Sequence, residues 1–487
     1  MYCATGCPQH KEFVPSMPTI AAIATPPGAG GIGIVRLSGP QSKALLAHIF
    51  LSLSPRFENF RPWFMHRGRV LDQHGEALDD VLAVFMPGPR TFTGEDMAEI
   101  HCHGGPLIVQ SVLESLLRLG ARQAERGEFS RRAFVNGRMD LSQAEAVAEL
   151  IAAPSREALR YSLNRLDGLL GRRVLALREE LEALRVQLCL AVDFPDEEVE
   201  CLAPEDFGRA VGQVAHSVRG LLAGQKRAKV MQQGAVVVLA GAVNAGKSSL
   251  LNALLGRNRA LVTDIPGTTR DFLEEACNLD GLPVRLTDTA GLRQTGGVRG
   301  GPDAVEALGM ALSREKLVQA DCILLLLDGA RLGEAGAAAE TCPDEAARQV
   351  LDLAGNTPVL LVWNKSDLCA PVVFPPRWSG GRFCCMISAR SGDNVDFLAQ
   401  SLRRHLLADG CDNPPSDGLA PNARQALALE EALAELEELE ADVSAGRPYD
   451  CCAVRLDTAA ARLGEVTGLS SPAEVLDRVF AQFCIGK

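Results

Sequence analysis

A phosphate-binding motif lies near the middle of the chain. Residues 241–248 read GAVNAGKS, which matches the P-loop pattern GxxxxGKS, and an apolar run that predicts a buried strand precedes them. Backbone N–H groups of such a loop surround the phosphates, and the following helix directs its positive end at them. Lys247 is expected to reach the outer phosphates, and the hydroxyl of Ser248 is expected to bind Mg²⁺. The sequence therefore predicts a nucleoside triphosphate site.

Three further motifs indicate that the nucleotide is GTP. The segment DTAG at 288–291 ends a predicted strand, so that Asp288 can hold Mg²⁺ through water. The segment NKSD at 364–367 places Asp367 to accept hydrogen bonds from the ring N–H and the amine of guanine. Adenine lacks this pairing, so the discrimination could be on the order of 10⁴. The SA pair at 388–389 is expected to place its backbone at the guanine carbonyl, and the four motifs in this order predict a GTPase.

The segment between the first two motifs is expected to be a switch. Residues 263–270 read TDIPGTTR, and a threonine here can bind Mg²⁺ only when the γ-phosphate is present. Thr269 is the expected ligand, with Thr268 as the alternative. Leu292 follows DTAG directly, where Ras-like GTPases carry a glutamine that positions the attacking water. Leucine cannot do this, so either hydrolysis is slow until a partner helps or another residue supplies the group.

The residues expected to contact GTP all belong to these motifs or directly adjoin them. Ser248 and Thr269 are the expected Mg²⁺ ligands among them. The full set is Asn244, Ala245, Gly246, Lys247, Ser248, Ser249, Thr263, Asp264, Ile265, Pro266, Gly267, Thr268, Thr269, Asp288, Thr289, Ala290, Gly291, Asn364, Lys365, Asp367, Ser388, Ala389 and Arg390.

Composition excludes several other classes of protein. No apolar run reaches the ~20 residues that cross a bilayer, and the first seventeen residues lack the features of a signal peptide, so a cytoplasmic protein without membrane contact is expected. The net charge of −12 argues against non-specific nucleic-acid binding but allows a local basic surface. The fifteen cysteines form no CxxC pair, so reduced thiols are expected. The sequence His101-Cys102-His103 looks metal-binding, but alternation on a strand would send Cys102 to the face opposite the histidines.

The elements that must position these motifs change in type along the chain. Apolar strands alternate with helices from residue 235 to about 406, which predicts a parallel sheet with helices on both faces. Helical patterns flank this region on both sides, and strand patterns come before them. Leucines and valines at three- and four-residue steps from Leu163 to Leu188 predict one long helix with a single apolar stripe.

The predicted fold class is multidomain, α/β plus α. Translation is expected to start naturally at Met17, which would make the residues before it a loose extension. A Ras-like P-loop domain is expected to be inserted into a helical domain, because domain termini often lie close together. The predicted boundaries are 1–17 for a disordered extension, 18–136 for an N-terminal α+β domain, 137–233 and 408–487 for a discontinuous helical domain, and 234–407 for the GTPase domain.

Several segments outside the GTPase motifs carry a resemblance to one family. Together with Asn244 in the P-loop, they resemble the MnmE (TrmE) family of tRNA-modification GTPases over essentially everything after Met17. These segments are ATPPG at 24–28, GGIGIVR at 30–36, TGED at 93–96, HCHGGP at 101–106, GEFSRRAF at 127–134 and FCIGK at 483–487.

The resemblance implies that the N-terminal domain binds a cofactor and that a second protein takes part in the reaction. The N-terminal domain would bind a tetrahydrofolate derivative, 5,10-methylene- or 5-formyl-tetrahydrofolate, and would form a homodimer. An FAD-dependent partner similar to MnmG (GidA) would join it, in a heterotetramer. Together they would add a carboxymethylaminomethyl group to C5 of the wobble uridine, position 34, of certain tRNAs.

The resemblance also assigns individual residues. A water-orienting glutamate would be Glu306, although the segment 296–302 before it is glycine-rich and longer than usual, and a catalytic cysteine would be Cys484.

The family usually has lysine where this chain has Arg138, and arginine keeps the charge but not the geometry. It also usually has arginine where this chain has Ala29. The folate contacts would be Arg36, Glu99, Arg138 and Lys487, and the K⁺ ligands would be Asn244, Thr263, the backbone of Ile265, and Thr268.

Two other functions compete with a tRNA-modifying GTPase. A non-modifying GTPase switch, for example in ribosome assembly, would explain the GTPase motifs equally well. It would leave Arg36, Glu99 and the Cys484 tail without a purpose. A scaffold with inactive motifs conflicts with the intact Lys247 and Asp367.

Overall fold

Contacts within the chain divide it into two compact units. Unit 1 comprises Met1–Ala148, Gly171–Leu175 and Ala461–Lys487, and unit 2 comprises Glu149–Leu170 and Ala176–Ala460. The predicted domain boundaries at 136, 233 and 407 stay predictions. The computed structural model describes residues 17–193, 204–257, 274–279, 281–288, 317, 319–330, 345–368, 381–407 and 419–486. The residues before Met17 therefore lie outside the described part of the chain.

The strands and helices of the described residues are numbered in chain order. The strands are β1 (Ile20–Ile23), β2 (Gly30–Ser38), β3 (Phe50–Ser52), β4 (His66–Leu71), β5 (Ala77–Met86), β6 (Met97–Gly104), β7 (Arg122–Gln123), β8 (Ala235–Gly241), β9 (Glu274–Leu279), β10 (Leu282–Asp288), β11 (Cys322–Asp328), β12 (Val359–Asn364) and β13 (Cys384–Met386). The helices are α1 (Ser42–Ile49), α2 (Pro106–Arg118), α3 (Glu128–Val135), α4 (Leu141–Ala152), α5 (Arg156–Leu166), α6 (Leu169–Asp193), α7 (Pro204–Leu222), α8 (Gln225–Gln233), α9 (Lys247–Arg257), α10 (Glu345–Ala354), α11 (Val395–Leu407), α12 (Ala423–Ser444), α13 (Tyr449–Thr467) and α14 (Ala473–Ala481).

Unit 1 is built on a seven-stranded sheet in the order β3-β4-β5-β6-β2-β1-β7. Neighbouring strands are antiparallel except β1 and β7, which are parallel. Alternate residues of the central strands, among them Val35 and Ile100, lie in a core that α1 and α2 cover. Cys102 is buried in that core whereas His103 is exposed, which is the alternation that the sequence predicted.

The end of the chain packs within unit 1. Phe480 of α14 and Phe483 beyond it form a small buried core with Leu141 and Ala144 of α4. Because these apolar residues hold α14 in place, the segment that follows it starts from a fixed point.

Unit 2 contains a six-stranded sheet in the order β13-β12-β11-β8-β10-β9. All neighbouring pairs are parallel except β9 and β10. Consecutive residues of β8 enter different cores: Val237 packs on one face with Leu250 of α9, and Val238 packs on the other with Ala347 of α10. The predicted parallel sheet with helices on both faces is therefore confirmed in its main features.

The long helix predicted from Leu163 to Leu188 is wrong at one point. Gly168, with φ of 73°, separates α5 from α6, because glycine adopts the left-handed conformation that ends a helix without strain. The stripe continues in α6, where Leu170 and Leu177 are fully buried, but Leu163 in α5 is 44% exposed. Leucine spacing alone did not reveal this break.

One buried arginine ties three segments of unit 1 together. Arg132 in α3 is 2% exposed and binds Glu95 at 3.0 Å and Glu128 at 2.9 Å. It also donates a hydrogen bond of 2.9 Å to the carbonyl of Pro18. Because a buried charge is tolerated only when it is paired, these contacts fix the start of β1 and the loop before β6 against α3. Within the described part of the chain, no helix is long and apolar enough to span a membrane.

We expect Arg132→Met to lower the free energy of unfolding by ~3 kcal/mol, because it leaves the shielded carboxylate of Glu95 without its cation and leaves Glu128 with Arg122 alone. Urea denaturation followed by circular dichroism measures this loss. The neighbouring residue gives a matched control: Arg131 pairs with Asp477 at 3.0 Å, but the two side chains are 47% and 59% exposed. Arg131→Met should cost less than about 1 kcal/mol. Equal losses in the two variants would contradict a structural role for the Arg132 cluster.

Candidate functional site

The P-loop has the backbone that phosphate binding requires. It joins the end of β8 to the start of α9, and both glycines of the motif have positive φ, 139° at Gly241 and 97° at Gly246. A Cβ at Gly241 would collide with the carbonyl of Leu326, and one at Gly246 with the side-chain amide of Asn364. Glycine is therefore needed at both positions for close packing as well as for the turn.

Lys247 is directed back over this loop. Its ammonium group donates hydrogen bonds to the carbonyls of Gly241, at 2.9 Å, and Ala242, at 2.8 Å. Ser248 and Ser249 follow in the first turn of α9 and are exposed, whereas Ala245 is buried in the core below. The lysine and the exposed first turn of a helix are thus presented on the same short segment.

The side chain of Asn364 joins three of the motifs. Its amide nitrogen donates to the carbonyl of Ala245 in the P-loop at 2.8 Å. Its amide oxygen accepts from the backbone N–H of Ala389 at 2.9 Å. Because Asn364 is 3% exposed, these bonds are shielded from water and hold the loops in fixed positions.

The predicted guanine-reading residues are also brought together. The hydroxyl of Ser388 donates to Oδ1 of Asp367 at 2.7 Å, and Asp367 is exposed at the surface of the short 3₁₀ helix Ser366–Leu368. Arg390 lies exposed in the turn after Ala389. An exposed carboxylate that is oriented by a hydrogen bond to one of its oxygens can accept hydrogen bonds from the two donors of a guanine edge.

Sequence reasoning missed one residue of this region, Asp328. It is the last residue of β11, and its carboxylate pairs with the ammonium of Lys365 at 2.6 Å. A signal for it existed in the sequence, because it follows an apolar strand directly and ligands of α/β sheets bind where the strands end.

Part of the predicted nucleotide site cannot be placed. Asp288 ends β10, and its backbone pairs in parallel register with Leu239 of β8. The remaining predicted residues lie outside the described part of the chain, namely Thr263, Asp264, Ile265, Pro266, Gly267, Thr268, Thr269, Thr289, Ala290, Gly291 and Glu306, together with Lys487 of the folate set.

A second cluster lies on the sheet of unit 1. Arg36 of β2 is opposite Glu99 of β6, and the guanidinium contacts Oε1 of that carboxylate through two nitrogens at 2.8 Å each. The other carboxylate oxygen lies 3.2 Å from Nε2 of His101. The hydrogen bond with His101, and next the charge of Arg36, hold the pKa of Glu99 below its ordinary value although burial opposes this. Glu99 is therefore a carboxylate at neutral pH.

The C-terminal tail is attached to this cluster. Arg36 donates a hydrogen bond of 3.2 Å to the carbonyl of Gly486, and Ile485 forms an antiparallel bridge with Arg126. Gly486 has φ of 94°, and a Cβ there would collide with the carbonyl of Ile23. The thiol of Cys484, two residues before Gly486, is exposed.

Arg138, the third predicted folate residue, has a different neighbourhood. Arg138 donates from Nε to the carbonyl of Thr91 at 3.1 Å, and its side chain lies against Gly94. Arg138 therefore braces the loop that precedes β6, whereas Arg36, Glu99 and the tail form one cluster.

Comparison with known proteins gives the family. A family model described as the MnmE helical domain matches residues 141–484, and one described as the GTP-binding protein TrmE N-terminus matches residues 19–138. The chain belongs to the MnmE family of tRNA modification GTPases. The MnmE relative from Nitratidesulfovibrio vulgaris, named a tRNA modification GTPase, is 56% identical over 470 residues, which are 96% of this chain and 99% of the relative.

Two further MnmE relatives extend this result. Those from Lawsonia intracellularis and Pseudomonas paraeruginosa are 46% and 40% identical, and each match covers 96% of this chain and 99% of the relative. The family and the GTPase activity predicted from the sequence are confirmed.

We expect Gly246→Ala to weaken GTP binding at least tenfold, because the new methyl group must displace Asn364 and the backbone is strained at positive φ. Titration with a fluorescent GTP analogue measures the affinity. Gly256→Ala is the matched control, since it lies in α9 and its Cβ would meet open space. Binding by the Gly246 variant as tight as by the control would show that the P-loop tolerates a displaced Asn364.

Proposed function

We propose that this protein uses GTP hydrolysis to drive a modification of tRNA in the cytoplasm. With an FAD-dependent partner similar to MnmG (GidA), it adds a carboxymethylaminomethyl group to C5 of the wobble uridine, position 34, with a one-carbon unit from a tetrahydrofolate derivative. Family membership supports the tRNA-modifying GTPase. The observation that carries the finer proposal is the exposed Cys484 on a tail anchored at Arg36 beside Glu99.

The nucleotide half of the proposal rests on the loops around Asn364. Lys247 binds the outer phosphates, and Ser248 with Thr269 holds Mg²⁺. Asp367 pairs with the guanine edge. A K⁺ ion held by Asn244, Thr263, Ile265 and Thr268 adds positive charge where negative charge develops during hydrolysis, and Glu306 orients the attacking water in place of the glutamine missing at Leu292.

The folate half of the proposal rests on the charges of the unit 1 cluster. The carboxylate of Glu99 can accept hydrogen bonds from the ring N–H and the amine of a pterin, since Arg36 and His101 keep it ionised and oriented. Arg138 and Lys487 supply positive charge for the carboxylates of a folate. Cys484 supplies a thiol that can act as a nucleophile or transfer a proton.

The proposed assembly follows the same family pattern. The N-terminal domain, 18–136, forms a homodimer, and two copies of the partner complete a heterotetramer. The GTPase domain, 234–407, is inserted between the two parts of the helical domain, 137–233 and 408–487. Family membership argues against the alternative of a non-modifying GTPase switch, which also gives no reason for a tail that is anchored beside a charged pair.

We expect Cys484→Ser to abolish the wobble-uridine modification while GTP hydrolysis persists, because the thiol is needed for the chemistry but not for the switch. Mass spectrometry of tRNA nucleosides from cells that carry only the variant measures the modification, and phosphate release measures hydrolysis. Cys451→Ser is the matched control, since Cys451 is also exposed and lies in unit 2. Normal modification in the Cys484 variant would refute a catalytic role for this thiol and would leave the tail a packing element.

We expect Arg36→Ala to weaken binding of 5-formyl-tetrahydrofolate about tenfold or more, because the variant loses both the charge beside Glu99 and the tail contact. Isothermal titration calorimetry measures the affinity. Arg69→Ala is the control on the same sheet, since Arg69 forms an exposed pair with Asp80. Folate binding that is insensitive to Arg36 but present in the wild type would place the pocket elsewhere.

A further inference from the structure

Two parallel strands of unit 2 end side by side, and a pair of opposite charges lies at their ends. Asp328 is the last residue of β11, and in the sheet register it lies opposite Asn364, the last residue of β12. Lys365 follows directly, and its ammonium nitrogen is 2.6 Å from Oδ2 of Asp328. The pair therefore lies at the carboxyl edge of the sheet, where α/β proteins bind their ligands.

A second contact, independent of the lysine, orients the carboxylate of Asp328. Its other oxygen, Oδ1, accepts a hydrogen bond of 3.1 Å from the backbone N–H of Ala330. The side chain of Asp328 is 14% exposed and that of Lys365 is 29% exposed, so solvent screens this pair less than a surface pair. A fixed carboxylate in a sheltered place can hold one ammonium group in one position.

Lys365 itself has an unusual backbone. Its φ of 67° lies in the left-handed region, which residues other than glycine seldom adopt. Such a conformation persists only where the surroundings enforce it, and it is concentrated at ligand sites. Lys365 stands between Asn364, which binds the P-loop, and the 3₁₀ helix that presents Asp367.

A carboxylate at this edge of the sheet is unexpected, because GTP carries several negative charges. An unpaired negative charge near the nucleotide would weaken binding by repulsion. When Asp328 is paired with Lys365, the two charges offset one another, so the carboxylate does not weaken nucleotide binding. The long lysine side chain has many rotamers, and anchoring its end removes part of the entropic cost of ordering it from the binding step.

We propose that Asp328 is a positioning residue of the guanine site, which fixes the side chain of Lys365 for the nucleotide. It gives Lys365 a single conformation, so that the aliphatic part of the lysine is in place before guanine arrives. This inference rests on the proposed function, in which Lys365 of the NKSD motif is one of the residues that contact GTP. It predicts an effect on affinity rather than on the rate of hydrolysis at saturation.

The decisive variant is Asp328→Asn, which keeps an oxygen acceptor for Ala330 and removes the charge that holds Lys365. We expect the Kd for GDP and the KM for GTP to rise about tenfold, with kcat changed less than twofold. The thermal midpoint of unit 2 should stay the same. A lower thermal midpoint with unchanged Kd would show that the pair only stabilises the sheet, and would overturn the proposal.

Asp321→Asn is the matched control. Asp321 lies just before the other end of β11, where its carboxylate accepts a hydrogen bond of 2.8 Å from the N–H of Val236. It is an aspartate bound to the same sheet but at the edge away from the nucleotide motifs. We expect its Kd for GDP to match that of the wild type, and a tenfold rise here would count against a local effect of Asp328.

A double-mutant cycle separates this inference from the proposed site. If Asp328 acts through Lys365, Asp328→Asn should have almost no further effect on Kd once Lys365→Ala is present. Independent, additive effects would overturn the inference. If Lys365→Ala alone leaves GDP affinity unchanged, the proposed guanine role of Lys365 fails; if it weakens binding while Asp328→Asn does not, only the inference fails.

Discussion

The nucleotide-binding region depends on a buried side-chain amide, that of Asn364. Its NH₂ group donates to the P-loop and its oxygen accepts from the loop of Ala389, so the amide connects the two loops. A buried amide left unpaired would cost free energy, so the two loops and the end of β12 are fixed as one body. The glycine at position 246 is required because the same amide leaves no room for a side chain.

Unit 1 is organised by arginines in the same manner. Arg132 is buried and paired with two carboxylates, which fixes the segments around α3. Arg36 is partly exposed, and it divides its hydrogen bonds between Glu99 and the backbone of the tail. The cluster around Arg132 stabilises the fold, because its charges are shielded from water. The pair of Arg36 and Glu99 can serve binding, because the carboxylate stays ionised and both side chains are partly exposed.

The two sheets thus carry two different kinds of polar cluster. In unit 2 the ends of parallel strands gather short polar loops, which suits a nucleotide with phosphates and a base edge. In unit 1 an antiparallel pair of strands gathers an arginine and a carboxylate, and the chain terminus is held beside them by Gly486. The exposed thiol of Cys484 lies on that terminus, two residues before Gly486.

The sequence alone determined the GTPase motifs, the parallel sheet and the family. These are readable because phosphate and guanine chemistry requires particular residues at short, fixed spacings, as in Asn364 to Asp367. The tertiary structure decided the pairings between distant segments. Asp328 meets Lys365 only because two strands lie side by side, and Arg36 meets Gly486 across 450 positions because hydrophobic packing of Phe480 and its neighbours brings the tail to the sheet. Spacing along a chain carries no record of such contacts, since they arise from packing that the whole fold decides.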